Sequence, residues 1–212
     1  MFTGIIEYTG KVANLEPMKE GGLEITIESQ LADSLEIDDS VSINGACHTV
    51  VYKSEARFSV QSVEETLSKT SIGDLKVGQR VNLEDSLTMQ KKIDGHIVQG
   101  HVDTAGRLTK IDHEGTNWLI EVEYDAAMAH YIVPRGSIAV DGISLTVARL
   151  EENRFTLAII PYTWDNTNLR EREVGDRVNL EFDVLGKYVL RAMETGYIKP
   201  STAQEVAAGG DK

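Results

Sequence analysis

Two short segments carry the side chains best suited to chemistry, and a shift of 97 positions aligns them. The first reads Asn44-Gly45-Ala46-Cys47-His48-Thr49-Val50 and the second Asp141-Gly142-Ile143-Ser144-Leu145-Thr146-Val147. Side chains at positions i and i+2 of a strand share one face. Cys47 with Thr49, and Ser144 with Thr146, would therefore present two small polar groups to a flat polar ligand. The Asn-Gly and Asp-Gly pairs equally fit a tight turn, with Cys47 and Ser144 as small packing residues.

Two histidines and two aspartates within residues 94–103 could form a metal site. His96 and His101 differ by five positions, however, which directs them to opposite faces of a regular strand, so we predict no metal. His101 follows Gly100, where a ligand can approach the backbone, and is the better candidate for proton transfer. His96 is expected to be structural. A serine-hydrolase triad using Ser144 is disfavoured, because the second glycine of a nucleophile elbow is missing.

Most of the chain is an internal repeat. Residues 40–84 and 137–181 align without a gap at the shift of 97 and share 16 identities. Upstream, Gly4-Ile5-Ile6-Glu7 aligns with Gly100-His101-Val102-Asp103 at a shift of 96. Each copy contains about six short strand-like segments separated by polar turns, a pattern typical of a small closed barrel. We therefore predict an all-β fold of two tandem duplicated six-stranded barrels.

Helical segments are expected in three places. Residues 30–35 and 125–133 occupy equivalent positions in the two copies and are predicted to be short helices that cap a barrel end or, alternatively, long loops. After the second copy comes a C-terminal α-helix, predicted from one apolar stripe formed by Leu185, Tyr188, Val189, Ala192 and Met193. This helix packs either on its own barrel or against the same helix of other subunits.

Composition narrows the class of protein. The 212 residues are 41% hydrophobic and 26% charged, as in ordinary globular chains. A net charge of −13 would repel a phosphate backbone, so no nucleic acid is expected as a partner. The single cysteine, Cys47, excludes an intrachain disulfide, and there is neither a basic leader nor a run of about 18 apolar residues. We expect a cytoplasmic protein that does not associate with membranes.

The predicted organisation has three parts. The first barrel is assigned to residues 1–96 and the second to residues 97–186. The last part, residues 187–212, comprises the helix and a frayed tail that is rich in Ser, Ala and Gly over residues 200–212.

Five motifs together resemble the riboflavin synthase family, in the right order and over about residues 1–195. They are Met1-Phe2-Thr3-Gly4-Ile5-Ile6, the segment from Asn44 to Val50, Glu64-Glu65-Thr66-Leu67, Gly95-His96-Ile97-Val98-Gln99-Gly100-His101-Val102, and the segment from Asp141 to Val147. The resemblance implies a homotrimer of double six-stranded Greek-key barrels, with each active site between the first barrel of one subunit and the second barrel of its neighbour.

The resemblance also implies the last reaction of riboflavin biosynthesis, without metal or organic cofactor. One molecule of 6,7-dimethyl-8-ribityllumazine gives a four-carbon unit to a second, which yields riboflavin and 5-amino-6-(D-ribitylamino)uracil. His101 would help to deprotonate the C7 methyl group of one lumazine. Cys47 and Ser144 would assist proton transfer or the addition and elimination steps.

The same resemblance implies which residues contact substrate. In the first barrel they are Gly4, Ile5, Ile6, Cys47, His48, Thr49, Gln61, Ser62, Val63, Glu64, Glu65, Thr66, Gly100, His101 and Val102. In the second barrel they are Ser144, Leu145, Thr146, Ile160, Pro161, Tyr162, Thr163, Trp164 and Asp165, with Arg135 reaching a ligand held mainly by another chain. His48 stands where relatives often have leucine, and Arg135 where they can have lysine.

Other functions stay open at this point. Lumazine proteins share the duplicated fold but bind one lumazine or flavin as an optical antenna. The presence here of Cys47, His96, His101 and Ser144 favours the enzyme. In a purely structural β-barrel protein the paired polar groups would be a coincidence. Lumazine synthase, with which some relatives associate, is a further partner that the resemblance brings into consideration.

Overall fold

The computed structural model describes residues 1–198, which form two closed antiparallel barrels and three short α-helices. Barrel 1 consists of β1 (Tyr8–Pro17), β2 (Leu23–Glu28), β3 (Ser40–Ile43), β4 (Ala46–Ser54), β5 (Arg57–Ser62) and β6 (Arg80–Asp85). Barrel 2 consists of β7 (Thr104–Glu114), β8 (Asn117–Glu123), β9 (Ser137–Val140), β10 (Ile143–Leu150), β11 (Arg154–Ile159) and β12 (Arg177–Phe182). The strand order β1-β2-β5-β4-β3-β6 recurs as β7-β8-β11-β10-β9-β12. The predicted fold of two duplicated six-stranded barrels is confirmed.

Strand β4 shows why each copy closes into a barrel. Ala46, His48 and Val50 are buried, whereas Cys47 and Thr49 between them are not, so the two faces alternate with a period of two residues. The buried faces of all six strands in barrel 1 meet in one apolar cluster that includes Phe58. A second cluster fills barrel 2. The outward faces of the strands are thereby left for polar groups.

The Asn-Gly and Asp-Gly pairs form the predicted tight turns. Asn44 and Gly45 both have positive φ, at 45° and 80°, as do Asp141 and Gly142, at 46° and 80°. Two successive residues with positive φ match the twist of a two-residue hairpin, and Asn-Gly and Asp-Gly adopt this conformation at low cost. Each tight turn is therefore followed directly by a strand, β4 or β10, that carries polar side chains on its outward face.

The helical segments differ in part from the expectation. Gln30–Asp33 and Ala126–Tyr131 are 3₁₀ helices within the two predicted stretches. Two further helices, α1 (Glu64–Lys69) and α2 (Pro161–Asn166), were not predicted, because six residues are too few to show helical periodicity.

The C-terminal helix α3 (Val184–Glu194) begins three residues before the boundary at 187, since the Asp183 side chain accepts a hydrogen bond from the Leu185 N–H and caps it. Within residues 1–198, no helix is long and apolar enough to cross a bilayer. The frayed tail predicted at residues 200–212 lies outside the described residues.

An approximate twofold axis relates the two barrels. A Cβ added to Gly45 would lie 2.7 Å from the Gly142 nitrogen, and one added to Gly142 would lie 2.8 Å from the Gly45 nitrogen. Phe2 pairs with Val98, its equivalent at the shift of 96, through two backbone hydrogen bonds. Both contacts join a position to its own counterpart. Such contacts arise where a twofold axis passes between the two residues.

Buried asparagines connect the barrels across this axis. The Asn82 amide donates to the Asp141 carbonyl oxygen at 2.9 Å, and the equivalent Asn179 amide donates to the Asn44 carbonyl oxygen at 2.7 Å. Each bond links β6 or β12 of one barrel to the hairpin of the other. Because an unpaired amide would be costly at this depth, the network specifies how the barrels dock.

One pair of positions in this network breaks the symmetry. The side chain of Asp141 is fully buried and forms an ion pair with Arg172, whose side chain is 7% exposed. At the equivalent positions barrel 1 has Asn44 and Leu75, so both charges are absent together. The duplicated framework therefore tolerates the charged pair or the neutral pair. A mixture of the two would leave one buried charge without its counterion.

We predict that Asp141→Asn lowers the free energy of unfolding by about 3–5 kcal/mol, since it strands the buried Arg172 guanidinium. The double variant Asp141→Asn/Arg172→Leu reproduces the neutral pair of barrel 1 and should recover most of that loss. Urea denaturation of the two variants, with Arg172→Leu as the second single variant, measures the coupling. Additive effects of the two substitutions would contradict the pairing argument.

Candidate functional site

Two buried carboxylates organise the segments that precede β1 and β7. Glu84 on β6 accepts hydrogen bonds from the N–H groups of Thr3 and Gly4, at 2.7 and 3.0 Å. Its equivalent Glu181 accepts from the N–H groups of Gln99 and Gly100, at 2.6 and 2.9 Å. Burial raises the pKa of both carboxyl groups, while these hydrogen bonds oppose the shift. Each carboxylate thus fixes one glycine-containing segment against its own barrel.

Each of these segments then passes to the other barrel, and we call residues 3–6 and 99–102 the crossing segments. The Ser144 N–H on β10 donates to the Gly4 carbonyl oxygen at 2.7 Å, and the Cys47 N–H on β4 donates to the Gly100 carbonyl oxygen at 2.9 Å. A Cβ on Gly4 would lie 2.7 Å from the Ser144 Cβ, and one on Gly100 would lie 2.6 Å from the Cys47 Cβ. Only glycine permits this approach, and both glycines also have positive φ.

The crossing of the segments to the opposite barrels corrects one expectation from the sequence. Gly4, Ile5 and Ile6 were assigned to the ligand site of the first barrel, but they lie against barrel 2, where Ile6 packs on the apolar cluster. The assignment failed because their own barrel follows them directly in sequence, and nothing in the motif signals the crossing. The segment that begins at Gly100 does lie against barrel 1, where Val102 packs on the apolar cluster.

A first cleft, of about 310 Å³, opens on the outside of barrel 1. It combines the outward face of β4, one side of α1 and the crossing segment, and its lining includes Cys47, Thr66, Lys69 and His101. Burial raises the pKa of the Cys47 thiol. At neutral pH this group is therefore a protonated thiol that can donate a weak hydrogen bond, rather than a thiolate.

A second cleft, of about 480 Å³, occupies the related place on barrel 2. Ile5 and Ile6 from the crossing segment line it together with Tyr162, Asp165 and Asn166 from α2, and its lining extends to Glu7, Thr9 and Arg80 at the edge of barrel 1. Ser144 adjoins it, since its N–H bonds to Gly4 directly before Ile5. Both clefts therefore combine a short helix with a segment borrowed from the other half, and the lining of the first also includes the nucleophilic side chain of Cys47.

The two histidines have different surroundings. His101 lines the first cleft, where its counterpart in the second is the apolar Ile5. His96 instead contacts Ser144, with Nδ1 2.7 Å from Oγ. Burial lowers the pKa of His96, and the nearby Asp183 carboxylate partly opposes this shift. A neutral His96 can accept the Ser144 proton, so its position allows a part in proton transfer as well as the structural part expected from the sequence.

His48 does not occupy the place expected for a ligand contact. It is 5% exposed inside barrel 1, with Nδ1 2.9 Å from the Ala46 carbonyl oxygen and Nε2 3.2 Å from the Ser62 hydroxyl. Burial lowers its pKa to about 4. Both ring nitrogens therefore contact groups of barrel 1, most of the ring surface is buried there, and the Ser62 hydroxyl contacts the same ring. The alternation of β4, which points Cys47 and Thr49 outwards, requires this inward position.

The remaining expected contacts fall into two groups. Glu65, Thr66, Tyr162 and Asp165 line the clefts. The rest lie outside both cleft linings, some exposed and some half-buried: Thr49, Gln61, Val63, Glu64, Arg135, Leu145, Thr146, Ile160, Pro161, Thr163 and Trp164. The expectation missed seven lining residues: Ala46, Lys69 and Thr70 of the first cleft, and Glu7, Thr9, Arg80 and Asn166 of the second. Extending the repeat alignment along both helices could have found Lys69 and Asn166, which are equivalent at the shift of 97.

A larger groove of about 760 Å³ between the barrels lacks comparable chemistry. Its arginines are engaged within the protein, since Arg177 pairs with Asp74 and Arg172 pairs with Asp141. Among the described residues, no three His, Cys, Asp or Glu side chains are arranged to hold a metal ion. The two smaller clefts therefore carry the chemistry.

Comparison with known proteins agrees with this division into two related halves. The lumazine binding domain model matches residues 3–86 and again residues 99–183. Riboflavin synthase of Mycobacterium tuberculosis is 40% identical over 202 residues, which cover 92% of this chain and 99% of that protein. The chain belongs to the riboflavin synthase family.

Two further comparisons extend this result. Riboflavin synthase of Bacillus subtilis is 38% identical over 194 residues, covering 90% of this chain and 89% of that protein. A solved structure of LumP in complex with 6,7-dimethyl-8-(1'-D-ribityl) lumazine matches with a TM-score of 0.77 at 20% identity, covering 86% of this chain and 99% of LumP. At that identity the structural likeness establishes the shared fold.

We predict that His48 makes the stability of the protein depend on pH. The folded state holds His48 neutral down to about pH 4, whereas the unfolded chain binds a proton below its ordinary pKa of 6.5. Stability is therefore fully present above pH 6.5 and falls by about 3 kcal/mol as the pH is lowered towards 4.

The variant His48→Leu, which introduces the residue found at the equivalent position 145, should lose this part of the pH dependence. Urea denaturation between pH 4.5 and 7.5 measures it. His113→Leu, at an exposed position, is the control and should keep the wild-type slope. Equal slopes for the wild type and His48→Leu would show that His48 is not held neutral.

Proposed function

We propose that this protein is a riboflavin synthase. It transfers a four-carbon unit between two molecules of 6,7-dimethyl-8-ribityllumazine and forms riboflavin and 5-amino-6-(D-ribitylamino)uracil. The atoms of these two products add up to two molecules of substrate, so the reaction consumes no oxidant or other co-substrate. The observation that carries the proposal is the pair of similar but chemically different clefts, together with the family to which the chain belongs.

A reaction between two copies of one molecule needs two related binding sites with different chemistry. Both clefts combine a short helix with a crossing segment but differ where it matters for proton transfer. Cys47 and His101 line the first, whereas the hydrogen-bonded pair of Ser144 and His96 lies next to the crossing segment of the second. Holding both rings in register removes much of the entropic cost of a bimolecular step. The duplication of the barrel thus supplies the two sites, and the differences between the copies give the two substrates different roles.

Each polar group has a proposed role. His101 assists removal of a proton from the C7 methyl group of one lumazine, since it lines the first cleft and is exposed. The neutral His96 accepts the Ser144 hydroxyl proton when that oxygen takes part in addition or elimination. Cys47, as a protonated thiol, donates a hydrogen bond or a proton at the equivalent place.

The assembly that we propose is a homotrimer in which a first cleft of one subunit faces a second cleft of its neighbour. Its support is the apolar stripe on α3, where Leu185 is 64% exposed, Tyr188 71% and Met193 43%. The other side of the helix is fixed to its own barrel, with Lys187 Nζ 2.7 Å from the Asp103 carboxylate. The free thiol of Cys47 fits a reducing compartment, and we place the protein in the cytoplasm.

Incubation of the purified, metal-free protein with 6,7-dimethyl-8-ribityllumazine alone should produce one riboflavin for every two lumazines consumed. Absorbance and chromatography measure both quantities. Tight, fluorescent binding of lumazine without turnover would instead indicate an antenna protein, and the proposal would be wrong. A requirement for an added metal or cofactor would contradict the proposed chemistry.

The variant His101→Ala should lower kcat by about 10²- to 10⁴-fold, the usual contribution of a positioned acid or base. His101→Gln, which keeps a polar side chain but cannot exchange a proton, should be similarly slow. Flavin fluorescence titration is the control for binding, which both variants should retain within a few-fold. Undiminished turnover by His101→Ala would remove this residue from the proton-transfer role.

The variant Val189→Glu places a charge on the α3 stripe and should convert the trimer to monomers with loss of turnover, because the clefts no longer face one another. Sedimentation velocity measures the mass. Arg191→Ala, on the opposite side of the same helix, is the matched control and should leave mass and turnover unchanged. An unchanged mass for Val189→Glu would contradict assembly through α3.

A further inference from the structure

The short helices beside the two clefts are held in different ways. Trp164 on α2 stacks on Trp118 of β8, with ring centroids 3.9 Å apart and an angle of 8° between the ring planes. His113 covers the other side of this pair, with its centroid 4.7 Å from that of Trp118. At the equivalent positions barrel 1 has Leu67 and Leu23, which pack on its apolar cluster. The aromatic stack is therefore found in barrel 2 and not at the equivalent positions of barrel 1.

Helix α2 depends on this stack for its position. It has six residues, all described by the structure, and none of them is buried. A helix of this length is not stable without tertiary contacts. The side-chain hydrogen bonds of Asn166 and Thr167 close back on α2 itself, to the carbonyl oxygens of Tyr162 and Thr163. They support the helical conformation but do not attach the helix to the barrel, whereas the Trp164 indole does.

Three of the residues that line the second cleft come from the same short helix. Tyr162, Asp165 and Asn166 face the cleft, next to Ile5 from the crossing segment. A displacement of α2 along the barrel would therefore move all three groups relative to a bound ring. Stacked aromatic rings resist sliding more than an aliphatic contact does, because their attraction depends on ring overlap and orientation.

We propose that Trp164, stacked on Trp118, is a positioning residue for the second cleft: it fixes α2 so that Tyr162 and Asp165 meet the ring of a bound lumazine or flavin. The inference rests on the proposed function and adds to it. Neither tryptophan needs to touch the reacting atoms. The two clefts would then differ in stiffness as well as in chemistry, since Leu67 packs the corresponding helix of barrel 1 on the apolar cluster by an aliphatic contact.

Flavin fluorescence titration with riboflavin tests the proposal in the full-length protein. The variant Trp164→Leu, which introduces the residue of the equivalent position in barrel 1, should weaken one of two classes of riboflavin sites by about tenfold. Trp164→Phe keeps a stacking ring and should stay within about threefold of the wild type. Leu67→Ala is the matched variant in barrel 1, and it should weaken the other class of sites.

Kinetics and fluorescence separate positioning from folding. Trp164→Leu should raise KM for lumazine more than it lowers kcat, with a thermal unfolding midpoint near that of Trp164→Phe. Because Trp118 and Trp164 are the two tryptophans of the chain, their emission in the wild type reports on α2, and ligand in the second cleft should quench it. His113→Ala removes the outer ring without touching α2 and should leave binding unchanged.

If the wild type and Trp164→Leu have the same riboflavin affinity at each class of sites and the same KM for lumazine, the inference is wrong. The proposed function would be unaffected by that result. A wild type that binds riboflavin but forms none, with binding weakened in Trp164→Leu and restored in Trp164→Phe, would reject the proposed reaction and support the positioning role. Loss of both classes of sites in Trp164→Phe as well would show that the pair only stabilises the barrel, which also overturns the inference.

Discussion

Two buried carboxylates hold the backbone from which both clefts are built. Glu84 and Glu181 each accept two N–H groups from a segment that has no regular strand partner along most of its length. Without these bonds the N–H groups of Thr3, Gly4, Gln99 and Gly100 would be left unpaired at the junction of the barrels, at a cost of a few kcal/mol each. With them, the Gly4 and Gly100 carbonyl oxygens are aimed at β10 and β4. The crossing of the segments follows from this anchoring.

Positions that are identical in the two copies and positions that differ serve separate purposes. Identical positions hold the framework, as in the Gly45 and Gly142 contact on the twofold axis and the reciprocal bonds of Asn82 and Asn179. Most of the differences discussed above lie at the clefts and at their supports: Cys47 against Ser144, Ile5 against His101 and Leu67 against Trp164. The pair of Asp141 and Arg172, which replaces Asn44 and Leu75, is a difference within the framework. A twofold framework can thus hold two molecules of one compound in unequal surroundings.

The sequence predicted the barrels because a repeat of short alternating strands has few ways to bury both copies, and the shift of 97 aligned Cys47 with Ser144. The odd spacing of His96 and His101 predicted opposite directions only for a regular strand, and residues 96–101 form none, although the two side chains do have different contacts. The crossing of Gly4 and Gly100 could not be predicted, since its hydrogen bonds join backbone groups and a glycine in the sequence does not reveal which strand it approaches. The inward position of His48 was missed although the alternation of β4 implied it, because the contact was carried over from the family resemblance as part of the segment from Cys47 to Thr49.

The exchanged segments also explain why the two copies remain in one chain. The first cleft needs His101 and Val102, which follow barrel 1 and lead into barrel 2. The second cleft needs Ile5 and Ile6, which lead into barrel 1. Neither barrel by itself supplies all the residues of one cleft. A change within either crossing segment therefore acts on the cleft of the other barrel, so the two copies are free to diverge in their strands and helices but not in the glycines and carboxylates that carry each segment across the axis.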